Sequence, residues 1–115
     1  MNTTKAKTTT IEMVTYRLKA DKTSADLAAT HDAVNEFLQT QAGFLYRSCS
    51  TDDSGLVYDI VYWQTLALAQ AAGEAFMAHS SGQALVALTD EHSIIMRHML
   101  AETEAAGEGG CSNAA

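Results

Sequence analysis

Two strand-like runs, FLYRSCST (44–51) and LVYDIVYW (56–63), flank the tetrad Asp52-Asp53-Ser54-Gly55. Acidic, hydroxyl and glycine residues between two β runs are a strong hairpin signal, because they tolerate the backbone angles a tight turn needs. This hairpin constrains everything else. Its second run is apolar at both parities, with Leu56, Tyr58, Ile60 and Tyr62 on one side and Val57, Val61 and Trp63 on the other. A sheet with one face in water alternates apolar and polar. This strand therefore predicts a sheet buried on both faces.

The flanking segments supply the other elements. IEMVTYRL (11–18) alternates and is rich in β-branched and aromatic residues, a strand by pattern. Residues 24–42 place Leu27, His31, Val34, Leu38 and Gln41 at steps of three and four, which predicts one helix. Ser24 is its expected N-cap and Gly43 its stop. Thr65 opens a second helix with Leu66, Ala69, Gly73, Phe76 and Met77 as its buried stripe. Ser80-Ser81-Gly82 interrupts that helix, QALVALT (83–89) adds a shorter helical piece, and EHSIIMRHML (91–100) reads as a fourth strand.

The order β-α-β-β-α-β predicts an α+β, ferredoxin-like fold: a four-stranded antiparallel sheet with the helices on one face. The second apolar face is then expected to meet the same face of another copy, a homodimer. Residues 1–10 and 103–115 are expected to be disordered ends around a single domain spanning 11–102.

Charge placement narrows the partners. Of the seven basic residues, Lys5, Lys7, Arg17, Lys19 and Lys22 lie in the first 22 positions. Beyond them only Arg47 and Arg97 face twelve carboxylates, a net of −10. Phosphate contacts need clustered Lys and Arg, so nucleic acid and anionic membrane surfaces are not expected partners. No apolar run approaches a membrane span, and no hydrophobic segment follows the basic start as in a signal peptide. Cys49 and Cys111 stand alone, without CxxC spacing. A reducing, cytoplasmic setting is expected.

The stretch GFLYRSCSTDDSGLVYDIVYW (43–63) resembles the hairpin of the antibiotic-biosynthesis-monooxygenase-like proteins, as do AQAAGEAFMAHSSGQALVAL (69–88) and EHSIIMRHM (91–99). The likeness covers about residues 10–100 and rests on glycine, aromatic and strand positions, which specify fold better than chemistry. It implies a dimeric α+β barrel, often with an apolar ligand between sheet and helices. Relatives include cofactor-independent oxygenases of quinols and aromatic polyketides, and haem-degrading enzymes. The haem branch carries an Asn on the first strand and a Trp and a His on the second helix. Here the first strand has no Asn and the only tryptophan, Trp63, ends a strand, so haem degradation is disfavoured and no cofactor is expected.

On that resemblance His79, and less directly His31, are candidate general bases for deprotonating a phenolic substrate, which could then reduce O₂ without a cofactor. Each also has a plainer reading. His79 would sit at a helix C-terminus, where the dipole favours a cation, and His31 would be a core histidine on an apolar stripe. Trp63, Tyr46, Tyr58 and Tyr62 are candidate walls or donors for a ring-shaped ligand; equally, they pack a core. Asp59 sits mid-strand among apolar residues, where an unpaired carboxylate is costly. An even hairpin register would bring Arg47 to the same face as an ion pair; an odd one would point it away. His92 and His98 lie too far apart along a strand to share one ion, and no metal is expected. The function expected is a cofactor-independent monooxygenase of a quinol or polycyclic aromatic molecule. The alternative is a non-catalytic module of the same fold that binds a small apolar ligand or serves only for dimerisation.

Overall fold

The computed structural model describes residues 8–108; Lys5, Lys7, Cys111 and most of both expected disordered ends lie outside them. Strand β1 (Thr10–Tyr16) leads to helices α1 (Ser24–Ala28) and α2 (His31–Gln39). The hairpin β2 (Phe44–Thr51) and β3 (Val57–Trp63) follows, then helices α3 (Leu66–Ala78) and α4 (Ser80–Val86), and β4 (Ile95–Leu100). The strands form one antiparallel sheet in the order β2-β3-β1-β4. This is the expected ferredoxin-like order, with each helix in two pieces. Among the described residues no helix is long and apolar enough to cross a membrane.

The local departures have local causes. The first helix begins one residue early because Thr23, not Ser24, caps it in a reciprocal box with Asp26. It breaks after Ala28, where the Thr30 hydroxyl bonds the Leu27 carbonyl at 2.7 Å and competes with the helical ladder. Helix α2 ends at Gln39, so Gly43, at φ +83°, turns the chain into β2 rather than stopping a helix. The second break falls at His79, not at Ser80-Ser81-Gly82. His79 is extended, and those three residues begin α4. A Cβ on Gly82 would overlap the Phe76 carbonyl, so only glycine allows α4 to fold back this closely on α3. Residues 91–93 form a 3-10 turn instead of strand, because the Asp90 side chain caps His92 N–H and Ser93 bonds back to Asp90.

The hairpin turn is held by the Asp52 carboxylate, which accepts from the Ser54 amide and hydroxyl and the Leu56 amide. Those bonds, Ser54 first, hold the Asp52 carboxyl down at about 2.

Odd-numbered β3 residues point to the helices and are buried: Val57, Asp59, Val61 and Trp63. With Tyr16, the apolar three of these meet Leu27, Val34, Phe37, Leu38, Ala69, Ala72 and Leu85 in one core. Fully burying a large apolar side chain contributes about 1.5–3 kcal/mol. Trp63, 1% exposed, is the largest fully buried side chain. The buried stripe of α3 is Ala69 and Ala72, one step round from the expectation, and Leu66 and Met77 are exposed. The two alanines let α3 approach the sheet closely. Among the described residues no helix covers the even-numbered face.

Candidate functional site

Between the sheet and helices α2, α3 and α4 lies a cavity of about 680 Å³. Its roof is mostly apolar, with Val34, Phe37 and Leu38 from α2, Ala72 and Phe76 from α3 and Leu85 from α4, and carries Gln70 and Glu74 of α3. The floor is the odd face of β3 and its register partners. Pairing sets Arg47 beside Val61, Val61 beside Glu12, and Glu12 beside His98, one row across all four strands. Trp63 and Asp59 stand diagonally to either side of that row, on the same face. An apolar cavity with a few converging polar groups is the usual form of a small-molecule site.

The register is even, and Arg47 and Asp59 form a two-pronged pair. Arg47 Nε donates to Asp59 Oδ1 at 2.9 Å and Nη2 to Oδ2 at 2.8 Å, with the side chains 5% and 10% exposed. The remaining arm, Nη1, donates to Asn35 Oδ1 on α2 at 2.8 Å. Both Asp59 oxygens are thereby committed, and the pair adds no net charge to the cavity.

Glu12 is different. Its carboxylate lines the cavity, and its one hydrogen bond comes from the Trp63 indole, Nε1 donating to Oε1 at 2.9 Å. The other oxygen, Oε2, faces His98 Nε2 at 3.8 Å, beyond hydrogen-bond range. Burial pushes the Glu12 carboxyl above its ordinary value. The Trp63 bond and His98 oppose that rise, and Asp59 adds to it. A carboxylate made more basic by a dry site is a stronger proton acceptor than one in water. Sequence reasoning singles out Asp59 for sitting in an apolar strand and passes over Glu12, in IEMVTYRL, to which the same argument applies. His98 enters it only as a possible metal ligand. Among the described residues no three His, Cys, Asp or Glu side chains gather where they could hold a metal ion.

Tyr16, also on the floor, has a buried hydroxyl without a hydrogen-bond partner, beside the Cys49 thiol. Burial and then the Asp59 charge raise both groups, the thiol to about 11, so Cys49 stays protonated and unreactive at neutral pH.

Of the candidate residues, the structure brings Trp63, Arg47 and Asp59 to the cavity and leaves the rest outside its lining. Trp63 forms a wall, set edge-on to Phe44 at 5.8 Å, but its N–H is spent on Glu12 rather than free for a ligand. Tyr46, Tyr58 and Tyr62 lie on the opposite sheet face, because side chains on a strand alternate and all three share the even parity. Tyr58 OH donates to Asp52 at 3.0 Å, and Tyr46 packs edge-on against Tyr62. His79 is placed between two helices. Its Nδ1 accepts the Ser81 amide at 3.1 Å and so caps the N-terminus of α4, while its ring packs on Phe37. His79 is the C-cap of α3, at the helix C-terminus expected for it, but its side chain turns to the positive end of α4. His31 opens α2 just past the break, half-buried, its Nδ1 without a partner.

No protein-family model matches the chain. No curated protein matches it either. Solved structures do. SnoaB, a cofactor-independent oxygenase from Streptomyces nogalater, superposes with a TM-score of 0.64 at 15% identity, covering 86% of this chain and 97% of that one. A protein from Nitrosomonas europaea, provisionally described as an antibiotic biosynthesis monooxygenase, gives 0.66 at 11%, covering 87% and 96%. Rv0793 from Mycobacterium tuberculosis gives 0.65 at 12%, covering 86% and 100%. The chain shares the fold of these proteins over nearly their whole length. At such identities the likeness is one of fold, and chemistry has to be argued from the cavity.

Proposed function

We propose that the protein is a cofactor-independent monooxygenase of a quinol or polycyclic aromatic molecule, working as a homodimer. The observation that carries this reading is Glu12: a carboxylate raised by burial on the floor of a largely apolar, aromatic-walled cavity, where the Arg47–Asp59 pair is neutralised within itself. Flat apolar rings suit the walls, and a weakly acidic hydroxyl or methylene suits the carboxylate. Glu12 takes that proton, so the general-base role expected of His79 or His31 passes to a residue that faces the cavity. The substrate anion is electron-rich enough to reduce O₂ directly. For an anthrone the balance closes without a cofactor. The ring CH₂ becomes C=O, one oxygen atom enters that carbonyl, and the other leaves with the two hydrogens as water. The substrate supplies all four electrons. SnoaB, which has this fold, is itself a cofactor-independent oxygenase.

The test is O₂ uptake over a panel of anthrones and hydroquinones, with Trp63 fluorescence read in parallel, since it is the only tryptophan. Uptake above the buffer rate in wild type, lost in Glu12→Gln while fluorescence still reports binding, is the expected result. Binding across the panel with no uptake would instead establish the non-catalytic ligand-binding module.

A further inference from the structure

In each turnover Glu12 takes one proton from the substrate, and the oxygen atom that leaves as water takes one up; with the second drawn from solvent, the first has to leave the cavity before the next substrate binds. We propose that His98 is the outlet, a relay from the cavity floor to solvent that acts through Glu12 and touches no substrate. The inference rests on the oxygenase reading. The geometry is specific to this pair. Glu12 and His98 are register partners on β1 and β4, and β4 is the edge strand of the sheet. Glu12 Oε1 is occupied by the Trp63 indole, which leaves Oε2 as the free oxygen, and it faces His98 Nε2 at 3.8 Å. That nitrogen is buried and has no hydrogen-bond partner, yet the His98 side chain is 25% exposed against 11% for Glu12. One edge of the ring therefore looks into the protein and the rest looks out.

The other charged groups around Glu12 do not serve. Asp59 on β3 has both oxygens on Arg47, and the Arg47 arm left over is held by Asn35. Glu74 on α3 also lines the cavity and is the rival outlet, but it is exposed and belongs to the roof. The step balances as follows. A small side-chain shift closes the gap; the protonated Glu12 donates to Nε2 as the Nδ1 proton leaves to water. The carboxylate is regenerated with no net change in charge on the imidazole. A flip of the ring then carries the Nε2 proton to the exposed edge, where exchange with water restores the first tautomer and again leaves an unprotonated nitrogen facing Glu12.

The experiment is steady-state O₂ uptake with an anthrone for wild type, His98→Gln and Glu74→Gln across neutral to alkaline pH, with and without added imidazole. Removing a proton-transfer partner lowers rates by about tenfold or more. His98→Gln is expected to lose that much kcat at unchanged KM, with a shifted pH profile, and to recover on addition of imidazole; any effect of Glu74→Gln, which lines the cavity, is expected on KM and without imidazole recovery. Should His98→Gln fail to fold, the dependence of wild-type kcat on deuterium fraction replaces it. A curved dependence is the two-proton relay, and a linear one overturns it. An active wild type with an indifferent His98→Gln, or with the loss in Glu74→Gln instead, overturns the relay alone. A wild type without uptake overturns the oxygenase reading and the relay together.

Discussion

The Trp63 indole donates to Glu12 Oε1 at 2.9 Å across the β1–β3 pairing, so the largest fully buried side chain is also what orients the cavity's carboxylate. One contact thus ties packing to chemistry. Replacing Glu12 by Gln keeps an acceptor for the indole and removes the base. Uptake is expected to fall by about 10²–10⁴-fold, the usual contribution of a general base. Stability should move the other way. A carboxyl raised in the folded state binds its proton better folded than unfolded, so wild type loses stability as pH rises above the ordinary carboxylate range. Glu12→Gln abolishes that slope, which chemical denaturation at acidic and neutral pH will detect. A slope unchanged in the variant would contradict the burial argument.

The Arg47–Asp59 pair holds the other end of the row. Removing one partner of a buried pair strands the other, at about 3–5 kcal/mol. Arg47→Met is expected to cost that much, and the double variant Arg47→Met, Asp59→Leu to recover most of it. Urea unfolding of the three proteins measures the coupling. A single variant as stable as wild type would mean the pair is solvated.

Gly73 tests the cavity without touching its polar groups. It lines the space from α3, and a Cβ built there meets nothing within 4 Å. Glycine inside a helix costs up to about 1 kcal/mol relative to alanine. Gly73→Ala should therefore raise the thermal midpoint, while Gly73→Leu should fill the space and weaken binding of a polycyclic ring more than of a single-ring hydroquinone. Equal affinities for both ligands in Gly73→Leu would place the ligand elsewhere.

His79 distinguishes capping from catalysis. Asparagine is a good N-cap and alanine a poor one, a difference of about 1 kcal/mol. His79→Asn is expected to keep wild-type stability and His79→Ala to lose about that amount, both read by thermal unfolding. A collapse of uptake in the stable Asn variant would return the base to His79.

The fold is legible because it is written in periods. Strand parity, the Asp52–Gly55 turn and helical stripes are local patterns, and the sheet follows from them. The site is legible only in part, because its two decisive facts are not local. The alternation in β3 separates Asp59 and Trp63 from Tyr58 and Tyr62, but nothing along the strand says which set the helices cover. Glu12 gains its meaning from a register that puts it between Val61 and His98, residues 49 and 86 positions away. His79 reads as a C-terminal histidine from the sequence, whereas the chain re-enters a helix immediately after it, a step that depends on Gly82 passing against Phe76.

The uncovered sheet face carries the last prediction. Register aligns Tyr46, Tyr62, Ile11 and Met99 in a continuous apolar row across all four strands, with Met13 and Ile60 beside it. Contiguous apolar surface of this kind marks an interaction site, and the homodimer proposed above would bury it sheet against sheet. Ile11 lies at the centre of the row and points away from the cavity, so Ile11→Lys should prevent association while leaving the cavity floor in place. Sedimentation at micromolar concentration is expected to give a two-chain mass for wild type and a one-chain mass for the variant, with Trp63 fluorescence unchanged in ligand titrations. A wild type that sediments as a monomer would overturn the dimer and leave the apolar row without a partner. A dimer that survives Ile11→Lys would move the interface to the exposed Ile95 and Leu100 on the β4 edge.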